Sequence, residues 1–149
     1  MATSDFNIDG TNSRETALLL SGSEAITANT TATPVNQQAV TVRQYGKCAL
    51  FLKAKGTDAS SSGTLTVKVE GSCQSRSPGA DDWHTLMDSD GNEAAFSIVL
   101  NANNEVRNCY PVDCAGLAIV RIKSVTNSDS TYDADFHAAL GKTDSGRGN

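Results

Sequence analysis

The sequence predicts an all-β protein, an antiparallel β-sandwich of jelly-roll or Ig-like strand order with an extended N-terminal arm. Three observations predict it. Thr64–Glu70 alternates without an error: Leu65, Val67 and Val69 fall on one face, Thr64, Thr66, Lys68 and Glu70 on the other. That is the two-residue period of a strand buried on one side. Clusters of Gly, Ser, Asn and Asp recur at intervals of roughly 8–15 residues, the turn spacing of a sandwich. No segment carries a long helical period, and the connections are too short and too polar to supply the helices that parallel strands need.

The elements follow in order. Residues 1–14 read as a flexible arm, 15–141 as the sandwich domain and 142–149 as a loose tail without packing residues. The first element, around Leu18, Leu19 and Leu20, fits a short helix, since Asn12 and Glu15 resemble a capping box and Gly22 a stop. A strand fits better, because Ile26 and the Thr-rich run after it favour extended backbone. Val40 and Val42 share a face of the next strand. The run from Cys48 to Leu52 is apolar throughout, as for a strand at a sheet centre or covered on both faces. A Ser/Gly loop leads to the Thr64–Glu70 strand.

Ser77-Pro78-Gly79 then turns the chain into a strand beginning at Trp83, the single tryptophan. Its indole reads as a core or rim anchor, with a sugar-stacking platform as the alternative. Asp88–Glu93 is a hairpin turn built on Asp-Gly. A calcium loop of the helix–loop–helix type would need oxygens over about twelve residues and flanking helices. Strands follow at Ala94–Leu100, at Val106–Cys114 with a break at Pro111, and at Gly116–Val125. The last strand sets Tyr132, Ala134, Phe136, Ala138 and Leu140 on one face, and Asp133, Asp135 and His137 on the other. Those three polar residues read as a solvated strand face, or else as a divalent-metal site.

Composition narrows the function. At 149 residues the chain can bury a real core without a disulfide or metal. The net charge is −5 and Lys and Arg are scattered singly, so the basic footprint of a nucleic-acid binder is missing. No apolar run approaches the roughly 20 residues that span a bilayer. The first fifteen residues lack the pattern of a signal peptide, so synthesis in a cytoplasm is expected. The Asn29-Thr30-Thr31 glycosylation pattern then reads as chance. Cys48, Cys73, Cys109 and Cys114 read first as buried small hydrophobes. A disulfide between Cys109 and Cys114, which flank Tyr-Pro-Val-Asp, is the next reading, and a zinc site the last, since only one close pair exists. His84 and His137 sit in no hydrolase or zinc-protease context and no Gly-rich phosphate loop is present. No enzyme activity, cofactor or metal is therefore expected.

The order of the pieces resembles a known family. A Thr/Ala-rich opening, ETALLLSGSEAITANTTAT, precedes the Val40-x-Val42 strand. KCALFLKAKGTDASSSGTLTVKVEGS and SPGADDWHTL follow, and GLAIVRIKSVTNSDSTYDADFHAAL closes the series. Over residues 15–141 this resembles the head-decoration, or cement, proteins of tailed bacteriophages and related β-sandwich virion proteins. The resemblance implies a structural protein on the outside of a capsid, commonly a homotrimer, that binds the major capsid protein and clamps neighbouring shell subunits. It implies a virion location and no catalytic residues. The arm would hold by adding backbone hydrogen bonds to a neighbour's sheet edge, with three joined copies multiplying the grip. A glycan-binding module and a tail or neck component remain the alternatives.

Overall fold

The ten residues Lys47–Gly56 form the axis of one sheet, and the nine residues Thr64–Ser72 that of the other. In a computed structural model that describes residues 15–43, 45–74 and 76–142, eleven strands build these two antiparallel sheets. They are β1 (Glu15–Leu18), β2 (Glu24–Ile26), β3 (Thr30–Ala32), β4 (Val40–Thr41), β5 (Lys47–Gly56) and β6 (Thr64–Ser72), then β7 (His84–Thr85), β8 (Phe96–Val99), β9 (Glu105–Asp113), β10 (Ile119–Asn127) and β11 (Ala134–Lys142). The predicted arm at 1–14 and residues 143–149 of the predicted tail lie outside the described residues. Lys142 belongs to the domain: it ends β11 and pairs with Glu15 and Cys48, so the last strand runs one residue past the expected boundary.

Three strands are interrupted. β1 and β2 share one edge of β11, β3 and β4 one edge of β10, and β7 and β8 one edge of β6. Counting each broken strand once leaves eight, ordered 1-8-3-6 in the first sheet and 2-7-4-5 in the second. That is a jelly-roll, two interleaved Greek keys, and it decides between the two strand orders the sequence left open.

The core fills the space between the sheets. β6 contributes Leu65, Val67 and Val69, each at most 2 % exposed, as its alternation predicts. β5 contributes Leu50, Leu52 and Ala54, and β11 contributes Ala134, Phe136, Ala138 and Leu140. β10 carries a bulge between Ile122 and Ser124. The extra residue rephases the strand, so Ile122 and Val125, three apart, both point inward. Lys123, at the bulge, reaches across the outer face to Thr85.

Two local expectations are corrected. Pro111 does not break β9, where it pairs with Ala49. β9 is bonded on one side only, to β5, so a missing N–H is tolerated there. The outer face of β11 is not solvated throughout either: Asp135 is exposed, but His137 is 1 % exposed. Ala139, the next residue on that face toward the end of the strand, is closed in as well, at 0 %. Phe51 leans over Gly141 so closely that an added Cβ would stand 2.6 Å from the ring.

Candidate functional site

The outer face of the second sheet carries a row of paired side chains. The Ser-Pro-Gly corner leads into a single 3-10 turn, Ala80–Asp82, whose start is fixed by the Gly79 N–H donating to Asp82 Oδ2 at 2.7 Å. β7 then returns antiparallel to β6, with Glu70 opposite Thr85. This delivers Trp83 to the outside of the sheet. The indole is half-buried, with the Arg121 guanidinium 3.9 Å from the ring centroid. Arg121 stands opposite Glu70 in the β10–β6 register and donates from Nε to Glu70 Oε2 at 2.6 Å. Trp83 is thus on the rim and outside the hydrophobic core, because the cation above it needs water on one side and its carboxylate partner on the other.

A second cluster continues the same face. Glu93 is bracketed by Lys68 at 2.5 Å and Lys123 at 3.4 Å. Hydrogen bonds from Lys68 and then Lys123, with their charges, hold its carboxyl below the usual carboxylate range. Thr31 and Thr126 join hydroxyls at 2.7 Å further along. Glu93 reaches this cluster from the Asp88 hairpin. There, Asp88 Oδ1 accepts from the N–H groups of Asp90 and Asn92, and Gly91 sits at φ +84°. The loop's own amides fold around that carboxylate oxygen, as a tight turn requires.

The other residues singled out from sequence are dispersed. Asp133 Oδ1 accepts from the Ala28 N–H at 2.9 Å and serves a turn before β11. Asp135 and His137 lie instead beside a half-open depression of about 240 Å³ on the outer face of the first sheet, with Lys53, Lys55 and Glu105. Lys55 pairs in register with Asp135, and Lys53 with His137. Two ammonium groups in that position oppose a divalent cation, and no cluster of metal-ligating side chains occurs among the described residues. No described helix is long and apolar enough to cross a membrane.

The cysteines are rearranged most. All four are free thiols in the structure. Cys109 lies within extended β9 and Cys114 just beyond its end. Five residues of strand span roughly 16 Å, far beyond the roughly 7 Å Cα limit of a disulfide. Cys109 is exposed and Cys114 buried. A Cys109–Cys114 bridge, the second reading of these cysteines, is therefore incompatible with the strand that carries Cys109; the first reading, buried small hydrophobes, holds for Cys48 and Cys114 but is corrected for Cys73 and Cys109, which are exposed. Cys114 lies beside Cys48 where β5 and β9 pair, and both are buried.

Sequence reasoning missed one group altogether. Asp129 is 4 % exposed, and its carboxylate accepts from the N–H groups of Ser62, Thr131 and Tyr132. Those bonds hold its carboxyl below the ordinary aspartate range. A depressed folded-state value means stability that is fully present above the unfolded value, near 4, and lost as pH falls through the folded one. Asp129→Asn keeps an acceptor for two of the amides and turns an NH₂ against the third. Its unfolding midpoint in urea, measured from pH 7 to pH 2, is expected to start lower than wild type and to fall less steeply below pH 4. An acid limb identical in slope to wild type would remove Asp129 from the account.

No protein-family model and no curated protein matches the sequence. Among solved structures, the chain is similar to the C-terminal family 22 carbohydrate-binding module of Clostridium thermocellum Xyn10B. The TM-score is 0.42 and the identity 12 %, over 90 % of this chain and 87 % of that one.

Proposed function

We propose that this chain is a structural protein that works by docking onto other proteins: a head-decoration protein of tailed bacteriophages, seated as a homotrimer on the outside of the capsid. There it binds the major capsid protein and clamps neighbouring shell subunits. The observation that carries the reading is the outer face of the second sheet. Cross-strand pairs Glu70–Arg121 and Lys68–Glu93–Lys123 hold its long side chains in place before any partner arrives. Ordering such side chains on binding costs about 0.5–1.5 kcal/mol each, so a face ordered in advance docks with less loss. The half-buried indole beside them is the residue type most enriched at binding hot spots. The sequence resemblance over 15–141 supplies the partner class.

A glycan-binding module is the second reading, and Trp83 is the residue it needs. Arg121 already occupies one face of that ring, so a sugar would have to stack on the opposite face.

The test mixes purified protein with undecorated heads of the phage that encodes it. The expected result is co-sedimentation with the heads, a trimer mass in solution and heads that withstand a higher temperature. Arg121→Glu should weaken head binding at least tenfold while the protein stays folded. Trp83→Ala should cost about 2 kcal/mol in urea unfolding, from the cation–π contact and the area of a half-buried ring, against about 3–5 kcal/mol for a core aromatic. A monomer that ignores heads but binds a glycan array through Trp83 would overturn the decoration reading in favour of the module. Co-sedimentation with tails alone would move the protein to the tail or neck.

A further inference from the structure

We propose that Cys48 and Cys114 form a redox-active pair, a site where a small-molecule disulfide closes a covalent bridge between the start of β5 and the exit of β9. The register places them together. Cys48 is opposite Val112, so Cys114, two residues on, is its diagonal neighbour on the same face. The Cys114 N–H donates to the Gly46 carbonyl at 2.9 Å, which continues the ladder past the end of β9 and holds Cys114 in place. Both residues face the core, at 6 % and 1 % exposure. Cys73 and Cys109 are exposed, and Cys109 sits within β9 on the far side from Cys114.

The surroundings assign the roles. Lys142 is opposite Cys48 on β11, with its ammonium donating to the Thr41 carbonyl and lying 5.5 Å from the Tyr45 ring centroid. The hydrogen bond from Cys114 and the Lys142 charge together favour the Cys48 thiolate, while that same bond and burial push the Cys114 thiol up. Cys48 is also the less deeply buried of the two and has Lys142 directly opposite, which makes it the attacking sulfur and Cys114 the resolving one. The oxidant is a small disulfide such as oxidised glutathione. The Cys48 thiolate attacks one of its sulfurs, the reagent's S–S bond breaks, and the released thiolate takes up the proton Cys48 gave away. The Cys114 thiol then loses its proton and attacks the Cys48 sulfur. The protein S–S bond forms, and the second small thiol leaves with that proton. Two protein thiols are oxidised and one small disulfide is reduced to two thiols.

The bridge would close a long loop of the unfolded chain and tie two strands at one end of the sandwich. On the loop-closure scale this is expected to raise the melting temperature by roughly 5–15 °C. The test uses the full chain with Cys73→Ser and Cys109→Ser, which removes the two exposed thiols. After exposure to oxidised glutathione, the free-thiol count should fall from two to none. Intact mass should show the loss of two hydrogens without a glutathione adduct. Peptide mapping should join Cys48 to Cys114, and the melting temperature should rise and return with dithiothreitol. Further replacement, Cys114→Ser, should leave a single glutathione adduct on Cys48 and no rise. Two unreacted thiols, adducts on both cysteines without a bridge, or a bridge that lowers the melting temperature would each overturn the proposal. The wild-type chain, mapped the same way, guards against a background that fails to fold: a Cys109–Cys114 link there would also refute it.

Discussion

Phe136→Ala is expected to destabilise the protein by about 3–5 kcal/mol, the largest loss expected from truncating any one side chain of this core. Phe136 is 1 % exposed and leads the fully buried side chains by volume. It lies on β11, the strand that joins β1, β2 and β5 into one sheet. Its neighbours along the same inner face are Ala134 and Ala138. Alanine side chains cannot swing into the space a lost ring leaves, so the cavity stays largely open and the surrounding contacts are forfeited. At roughly 2–4 °C per kcal/mol for a domain of this size, melting should fall by about 10 °C. Urea unfolding monitored by circular dichroism reads the change directly. A loss under about 1.5 kcal/mol would mean that the sheets collapse onto the gap, and that β11 is less rigidly held than its pairing implies.

Asn127→Ala should rank second, at about 3 kcal/mol, and for a different reason. Asn127 is 0 % exposed at the end of β10. Its Nδ2 donates to the carbonyls of Ile26 at 3.1 Å and Tyr132 at 3.2 Å, and its Oδ1 accepts from the Asp129 N–H at 2.9 Å. One side chain thus fastens β2, β10 and the loop into β11. Alanine leaves buried backbone groups without partners, each costing about 1–3 kcal/mol when water cannot replace the bond. Asn127→Asp keeps the acceptor but loses both donors and buries a charge against two carbonyls, so it should be at least as damaging. Amide exchange in the 128–133 loop should quicken in both variants. A cost below about 1 kcal/mol for alanine would show that water enters and takes over the bonds.

These two residues differ in how far the sequence announced them. Phe136 was legible: it sits in an alternating run, and alternation alone assigns it to the inner face. Asn127 was not, because nothing local distinguishes a polar residue at a strand end in a turn from one sealed beneath a loop. The same contrast runs through the candidate site. The hairpin at Asp88 could be read from Asp-Gly, since a turn is made by the residues in it. The Trp83–Arg121 stack could not, because residues 38 positions apart meet only after β6, β7 and β10 are aligned. The bulge in β10 left a faint trace, as Val120, Ile122 and Val125 break the two-residue period at Lys123.

The cysteines make the limit concrete. Closeness in sequence favoured Cys109 with Cys114, yet an extended strand carries near neighbours apart at more than 3 Å per residue. Cys48 and Cys114, far apart in the chain, are brought together by the pairing of β5 with β9.

What the sequence determined by itself was therefore the alternation of side chains along the regular strands, the positions of the tight turns and hence an antiparallel sandwich. Steric period and turn chemistry act over a few residues, and every residue needed for them is present locally. The tertiary structure alone decided the jelly-roll order, the thiol partner of Cys114, the outward place of Trp83 and the burial of His137. Each of these depends on which strand lies alongside which. Strands with one apolar face are nearly interchangeable to local chemistry, and only the joint packing of both sheets distinguishes one set of neighbours from another.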